Sequence, residues 1–137
     1  MQNVRACIVK RGNTMNLLEN FGICIEEVKP SRVVLSMEVR DIHKQPYGIM
    51  HGGVSALLAE TAASLGANCS LDATHVANGV NITTQHLHAV QNGKLIVTAT
   101  PLHQGKTLQR WDVVIYNEDV LVSSSQVTLI ARPVCAR

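Results

Sequence analysis

Aromatic residues are nearly missing from this chain: one Trp, two Tyr and one Phe, 3% of 137 residues. That scarcity argues against a platform on which nucleobases stack. Neither sign of charge is in excess. The formal net charge is +2, which by itself does not point to nucleic acid, and a pI near 8.4 suits at most an anionic small molecule. The four cysteines, Cys7, Cys24, Cys69 and Cys135, form no CxxC pair and no metal-finger spacing. They read as free thiols of a cytoplasmic protein. No apolar run of about 18 residues is present to span a membrane. The basic start MQNVRACIVKRGNT has no apolar stretch behind it, so no signal peptide is expected.

What is present is an apolar fraction of 46% against 16% charged, enough for one domain over residues 1–137 with a substantial core. Asn13 to Gly22 reads as a short helix, capped by Asn13 and ended by Gly22. Residues 23–28 and 32–40 read as strands about the Lys29-Pro30-Ser31 turn. In the second, Val33, Leu35, Met37 and Val39 share a face opposite Ser36, Glu38 and Arg40. A loop with Pro46 and Gly48 leads into the main helix, Val54 to Asn68. It is apolar nearly all round and therefore expected to be buried, with Glu60 as its one charge. Four strands follow: 76–88, 94–100, 108–116 and 120–131. Asn92-Gly93 reads as the hairpin turn between the first two, and turns at Gly105-Lys106 and Asn117-Glu118-Asp119 join the rest. The order implies an α+β fold in which one antiparallel sheet wraps a single long helix.

Two features carry chemistry. Gly52 and Gly53 open the main helix and leave its first N–H groups accessible, where a carbonyl oxygen turning into an oxyanion would be stabilised. Glu60 puts a carboxylate into apolar surroundings, with Ser64 one turn further on the same helix face. His51 and Glu60 are nine residues apart, about 13 Å along a helix axis. One substrate carbon cannot easily meet both ends within one chain. Two antiparallel helices across a two-fold axis would bring them together, so catalysis would require a homodimer with composite sites.

The pattern Gln45, five residues, His51-Gly52-Gly53, six residues, Glu60, three residues, Ser64 resembles the hotdog-fold acyl-CoA thioesterases. The likeness is to the branch of the Arthrobacter-type hydroxybenzoyl-CoA, enterobactin-proofreading, dihydroxynaphthoyl-CoA and phenylacetate-pathway enzymes, and it covers a core of about residues 20–132. It implies that Glu60 is the nucleophile or the general base. The Gly52 N–H would polarise the thioester carbonyl with Gln45 nearby, His51 would shape the helix start or assist the leaving thiolate, and Ser64 would hold the water. The segment from Pro101 to Lys106 is similar to the family's CoA-phosphate turn. His86, His88, His103, Gly105, Lys106 and Arg110 are therefore the expected CoA contacts, with His88 standing where the branch often has Arg. The expected partners are a small-molecule acyl-CoA and the chain itself, as a dimer or a dimer of dimers, with no nucleic acid and no membrane. No cofactor is implied beyond the CoA of the substrate. His86, His88 and His103 invite a metal, but no fourth ligand is evident and none is expected. Pocket walls are expected from Leu57, Leu58, the loop of residues 41–47 and the partner chain. A non-catalytic acyl-CoA-binding protein and a hotdog dehydratase or hydratase are the competing readings. Glu60 and Ser64 favour the hydrolase over the first, and the Gln45–Glu60 spacing favours it over the second.

Overall fold

The computed structural model describes residues 15–135. Helix α1 (Leu17–Phe21) is capped by Asn16 rather than Asn13, which lies outside the described residues. Asn16 and Glu19 form a reciprocal box. The Asn16 side chain accepts the Glu19 N–H at 3.0 Å, and the Glu19 carboxylate accepts the Asn16 N–H at 3.3 Å. Gly22 ends the helix in the left-handed region, φ 69°.

Strands β1 (Cys24–Lys29) and β2 (Arg32–Glu38) form the first hairpin. A 3₁₀ turn (Asp41–His43) and a tight loop then lead to helix α2 (Gly52–Cys69), followed by β3 (His75–His86), β4 (Lys94–Gln104), β5 (Leu108–Asn117) and β6 (Val120–Pro133). All strand pairings are antiparallel, and the sheet order is β1-β2-β4-β5-β6-β3.

That order corrects one expectation. Asn92-Gly93 is a turn, with Gly93 at φ 107°, but it does not join β3 to β4 as a hairpin. β3 lies at the far edge, paired with β6 from His75↔Pro133 to His86↔Ser123. The turn instead delivers β4 to β2: the Gly93 carbonyl accepts the Val39 N–H at 2.9 Å, and Glu38 faces Lys94 across the pair. Asn117 closes over the turn by donating to the Asn92 carbonyl at 3.0 Å.

Alternation places Val33, Leu35 and Met37 of β2, Leu95, Val97 and Ala99 of β4, Trp111, Val113 and Ile115 of β5, and Val127 and Leu129 of β6 against α2. Each large side chain buried in this way contributes roughly 1.5–3 kcal/mol. Ser36 departs from the expected outward face: it is buried and donates to the Glu26 carboxylate. The helix passes so close to β5 that a Cβ at Gly66 would meet Trp111 Cζ3 at 2.6 Å. Trp111 Nε1 donates to Gln109 Oε1 at 2.9 Å, and Gln109 Nε2 donates to Ser70 Oγ at 2.8 Å, which satisfies the buried polar atoms where the helix ends.

Helix α2 is buried on one side only. Val54, Leu58, Ala59, Ala62, Ala63 and Ala67 face the sheet. Gly53, Ala56, Leu57, Glu60, Thr61, Ser64, Leu65 and Asn68 line an open groove of about 560 Å³. The expectation of burial all round fails because a single sheet covers a single face of a helix.

Candidate active site

The start of α2 is built by its cap. His51 holds an extended backbone, φ −66° and ψ 131°, and its Nδ1 accepts the Gly53 N–H at 2.8 Å. Its carbonyl accepts the Val54 N–H at 2.9 Å. No acceptor among the described residues takes the Gly52 N–H. Gly52 is thus left with a free donor at the positive end of an 18-residue helix.

The loop before it is held in a small hairpin, in which the Gln45 N–H donates to the Ile49 carbonyl at 2.9 Å and Gly48 turns at φ 82°. Met50 ties this loop to the segment after β3 through the Val90 carbonyl at 2.7 Å. Gln45, Met50, Gly52, Ser55, His86 and His88 line a cavity of about 340 Å³ at the helix start. The imidazole of His86 lies against Gly52, where a Cβ would stand 2.8 Å from Cε1.

His86 and His88 do not share a strand face, because β3 ends at His86. His88 lies beyond the strand and donates from Nδ1 to the Leu121 carbonyl at 2.8 Å. Both histidines still reach the same cavity. The structure separates them from the other expected CoA contacts. His86 pairs with Ser123 of β6, whereas His103 pairs with Arg110, which pairs with Thr128. The two levels are five positions apart along β6, roughly 16 Å of strand. His103, Gly105 and Lys106 therefore gather at the β4–β5 turn, beside the opposite end of α2. There Gly105 allows the chain to pass His103 Nε2 and the Leu108 carbonyl, each 2.8 Å from where its Cβ would be. Arg110 is engaged with Gln126 Oε1 at 2.6 Å. With His103 so far from His86 and His88, the three histidines do not converge on a metal, and no group of three possible ligands occurs among the described residues.

Glu60 also departs from expectation. Its carboxylate is exposed in the groove rather than sunk in the core, and it makes no hydrogen bond or ion pair among the described residues. Ser64 lines the same groove one turn on. Leu57 does so too, but Leu58 is fully buried beneath the helix and forms no wall. The Gly52 cavity and the Glu60 groove are separate in one chain. Gly52 and Glu60 are eight positions apart on the helix, about 12 Å along its axis.

Two residues escaped sequence reasoning. Gly79 of β3 faces Glu60, where a Cβ would come 3.0 Å from the carboxyl carbon. Ser123, opposite His86, carries a buried hydroxyl with no partner among the described residues. A β-turn-like Asn-Gly pattern announced neither, and only the register of β3 on β6 reveals them.

This geometry has known counterparts. The thioesterase superfamily model matches residues 47–124. A 1,4-dihydroxy-2-naphthoyl-CoA hydrolase from Listeria monocytogenes is 38% identical over 119 residues, 86% of this chain and 97% of that protein. A proofreading thioesterase from Cronobacter sakazakii is 33% identical over 102 residues, 74% of each. Among solved structures, a Staphylococcus aureus protein crystallised as a Glu-to-Ala mutant aligns with a TM-score of 0.85 at 36% identity, covering 87% of this chain and 100% of that one. A thioesterase from Haemophilus influenzae aligns with a TM-score of 0.83 at 31% identity, covering 90% and 87%. By sequence and by fold the chain belongs to the thioesterase superfamily, as a thioester hydrolase of the hotdog type.

Proposed function

We propose that the protein hydrolyses acyl-CoA thioesters in composite sites, each using the Gly52 amide of one chain and the Glu60 carboxylate of a second copy. The observation that carries this reading is the open groove along α2, in which Glu60 is the only charged side chain of the helix and has no partner among the described residues. A carboxylate on an otherwise uncharged face is poised for a substrate and a second helix. Antiparallel pairing of two α2 helices would close the groove and bring each Glu60 toward the other chain's helix start. The long edge of β3, unpaired on one side in a single chain, would continue the sheet across the same axis.

In that site the thioester oxygen accepts the Gly52 N–H, with Gln45 and His86 beside it. As the carbonyl carbon becomes tetrahedral, its negative charge grows where the helix dipole and the free donor already point. Glu60 either attacks that carbon or takes a proton from an attacking water, which Ser64 orients. The C–S bond then breaks and CoA leaves as its thiolate without a Ser-His-Asp relay, since a thioester is already electrophilic, and where Glu60 has attacked the carbon, water next cleaves the acyl–Glu60 anhydride to release the acid. The CoA end extends toward the His103-Lys106 turn, where the ammonium acts on phosphate as a point charge. No cofactor enters this reading. A cytoplasmic setting belongs to it as well, in keeping with the exposed thiols of Cys24 and Cys135.

The relatives named for dihydroxynaphthoyl-CoA and for proofreading make aryl thioesters the first substrates to try. The test is thiol release from benzoyl-, hydroxybenzoyl-, phenylacetyl- and medium-chain acyl-CoA. Turnover by the wild type and a loss of about a hundredfold or more in Glu60→Ala is expected. Unchanged turnover in that variant would sink the mechanism.

A further inference from the structure

Gly79 sits on β3 with no need of glycine's conformational freedom: the positive-φ glycines among the described residues are Gly22, Gly48 and Gly93. Space is what the position demands. A Cβ at Gly79 would press on Oε1 of Glu60 and come 3.0 Å from Cδ and 3.4 Å from Cγ. Two residues earlier on the same strand face, Ala77 is 7% exposed and packs under α2. The β3 backbone is further shaped here by a bulge between Gly79 and Asn81, which leaves Val80 unopposed by β6. The strand thus offers the helix a notch, and the Glu60 carboxylate occupies it with no hydrogen bond among the described residues to hold it there.

We propose that Gly79 is the positioning residue for the Glu60 carboxylate. Its bare Cα lets the side chain lie flat on β3 and so fixes how far the carboxylate reaches toward the substrate carbon. Any side chain at position 79 would push that carboxylate off its line. This inference rests on Glu60 being the catalytic carboxylate, but the contact itself is measurable without any reaction.

The experiment is a double-mutant cycle read in both activity and melting temperature. Gly79→Ala is expected to lower kcat by roughly ten- to a hundredfold, the scale of an ångström-sized misplacement, with KM within about twofold. Glu60→Asp, shorter by one methylene, is expected to lose much less in the Gly79→Ala background than in the wild type, because it relieves the clash. In melting temperature, Gly79→Ala should be less favourable beside Glu60 than in a Glu60→Ala background, by a small margin because the exposed carboxylate can swing aside. Equal effects of Gly79→Ala on melting temperature in both backgrounds, or an equal loss from Glu60→Asp in both, would overturn the proposal. Coupling in melting temperature with kcat unaffected would overturn the positioning role of Gly79 and leave only packing, whereas the catalytic reading of Glu60 fails only if Glu60→Ala keeps its turnover.

Discussion

The imidazole of His86 lies so close to Gly52 that a single methyl group on Gly52 would meet its Cε1 at 2.8 Å. Gly52→Ala should therefore displace His86 and spoil the oxyanion end of the site without touching Glu60. If each site is shared, a chain carrying Gly52→Ala and a chain carrying Glu60→Ala have complementary defects. Each is expected to be nearly inactive alone. Unfolded together and refolded at equal amounts, half the dimers would be mixed and each would hold one intact site, so about a quarter of wild-type activity should return. Recovery of none would mean that each chain works with its own Glu60.

His43 makes the loop before the site sensitive to acid. It is 1% exposed. Its Nδ1 accepts the Arg40 N–H at 2.9 Å, and its Nε2 donates to the Phe21 carbonyl at 3.0 Å, fastening α1 to the loop that carries Gln45. Burial, aided by the Arg40 charge and opposed by the Phe21 carbonyl, lowers its pKa below the usual 6.5. The unfolded chain therefore takes up this proton first as pH falls. The stabilisation is whole above about pH 6.5 and is lost as pH drops through the depressed folded value. Melting temperatures of wild type and His43→Gln, followed from about pH 8 to about pH 5, should differ most at the upper end and converge below. A constant gap would show that His43 does not titrate with folding.

Gly66 and Trp111 set how near α2 lies to the sheet. With Trp111 fully buried and its Cζ3 only 2.6 Å from a would-be Cβ, Gly66→Ala is expected to cost roughly 1–3 kcal/mol through overpacking. Trp111 is the only tryptophan, so its fluorescence reports the denaturant midpoint directly. A midpoint at or above that of the wild type would refute this tight approach.

Much of the architecture was legible because local signals set it. Gly22 marked the end of α1, although its cap is Asn16 and not Asn13, and alternation picked out Val33, Leu35 and Met37 as core. Strand partners were less legible. Asn92-Gly93 carries a hairpin signature, yet a turn signal is local, whereas the choice of β2 over β3 as neighbour depends on packing far along the chain. The catalytic pattern around Gly52 and Glu60 was visible as spacing. The exposure of Glu60 was not, because the composition of α2 cannot say which face a sheet will cover. His43 and Gly79 stayed hidden for a related reason: a loop histidine and a strand glycine gain their roles only from residues brought to them in three dimensions.

The edge position of β3 also bears on how the chain is made. Its first residue, His75, pairs with Pro133, and His86 at its end pairs with Ser123. β3 has no strand neighbour to pair with until β6 has been made, whereas β4 can pair with β2 as soon as it follows it. The wall against which Glu60 rests is thus among the last parts to set, and a chain cut short within β6 would carry every catalytic side chain named above yet lack the backing of its carboxylate.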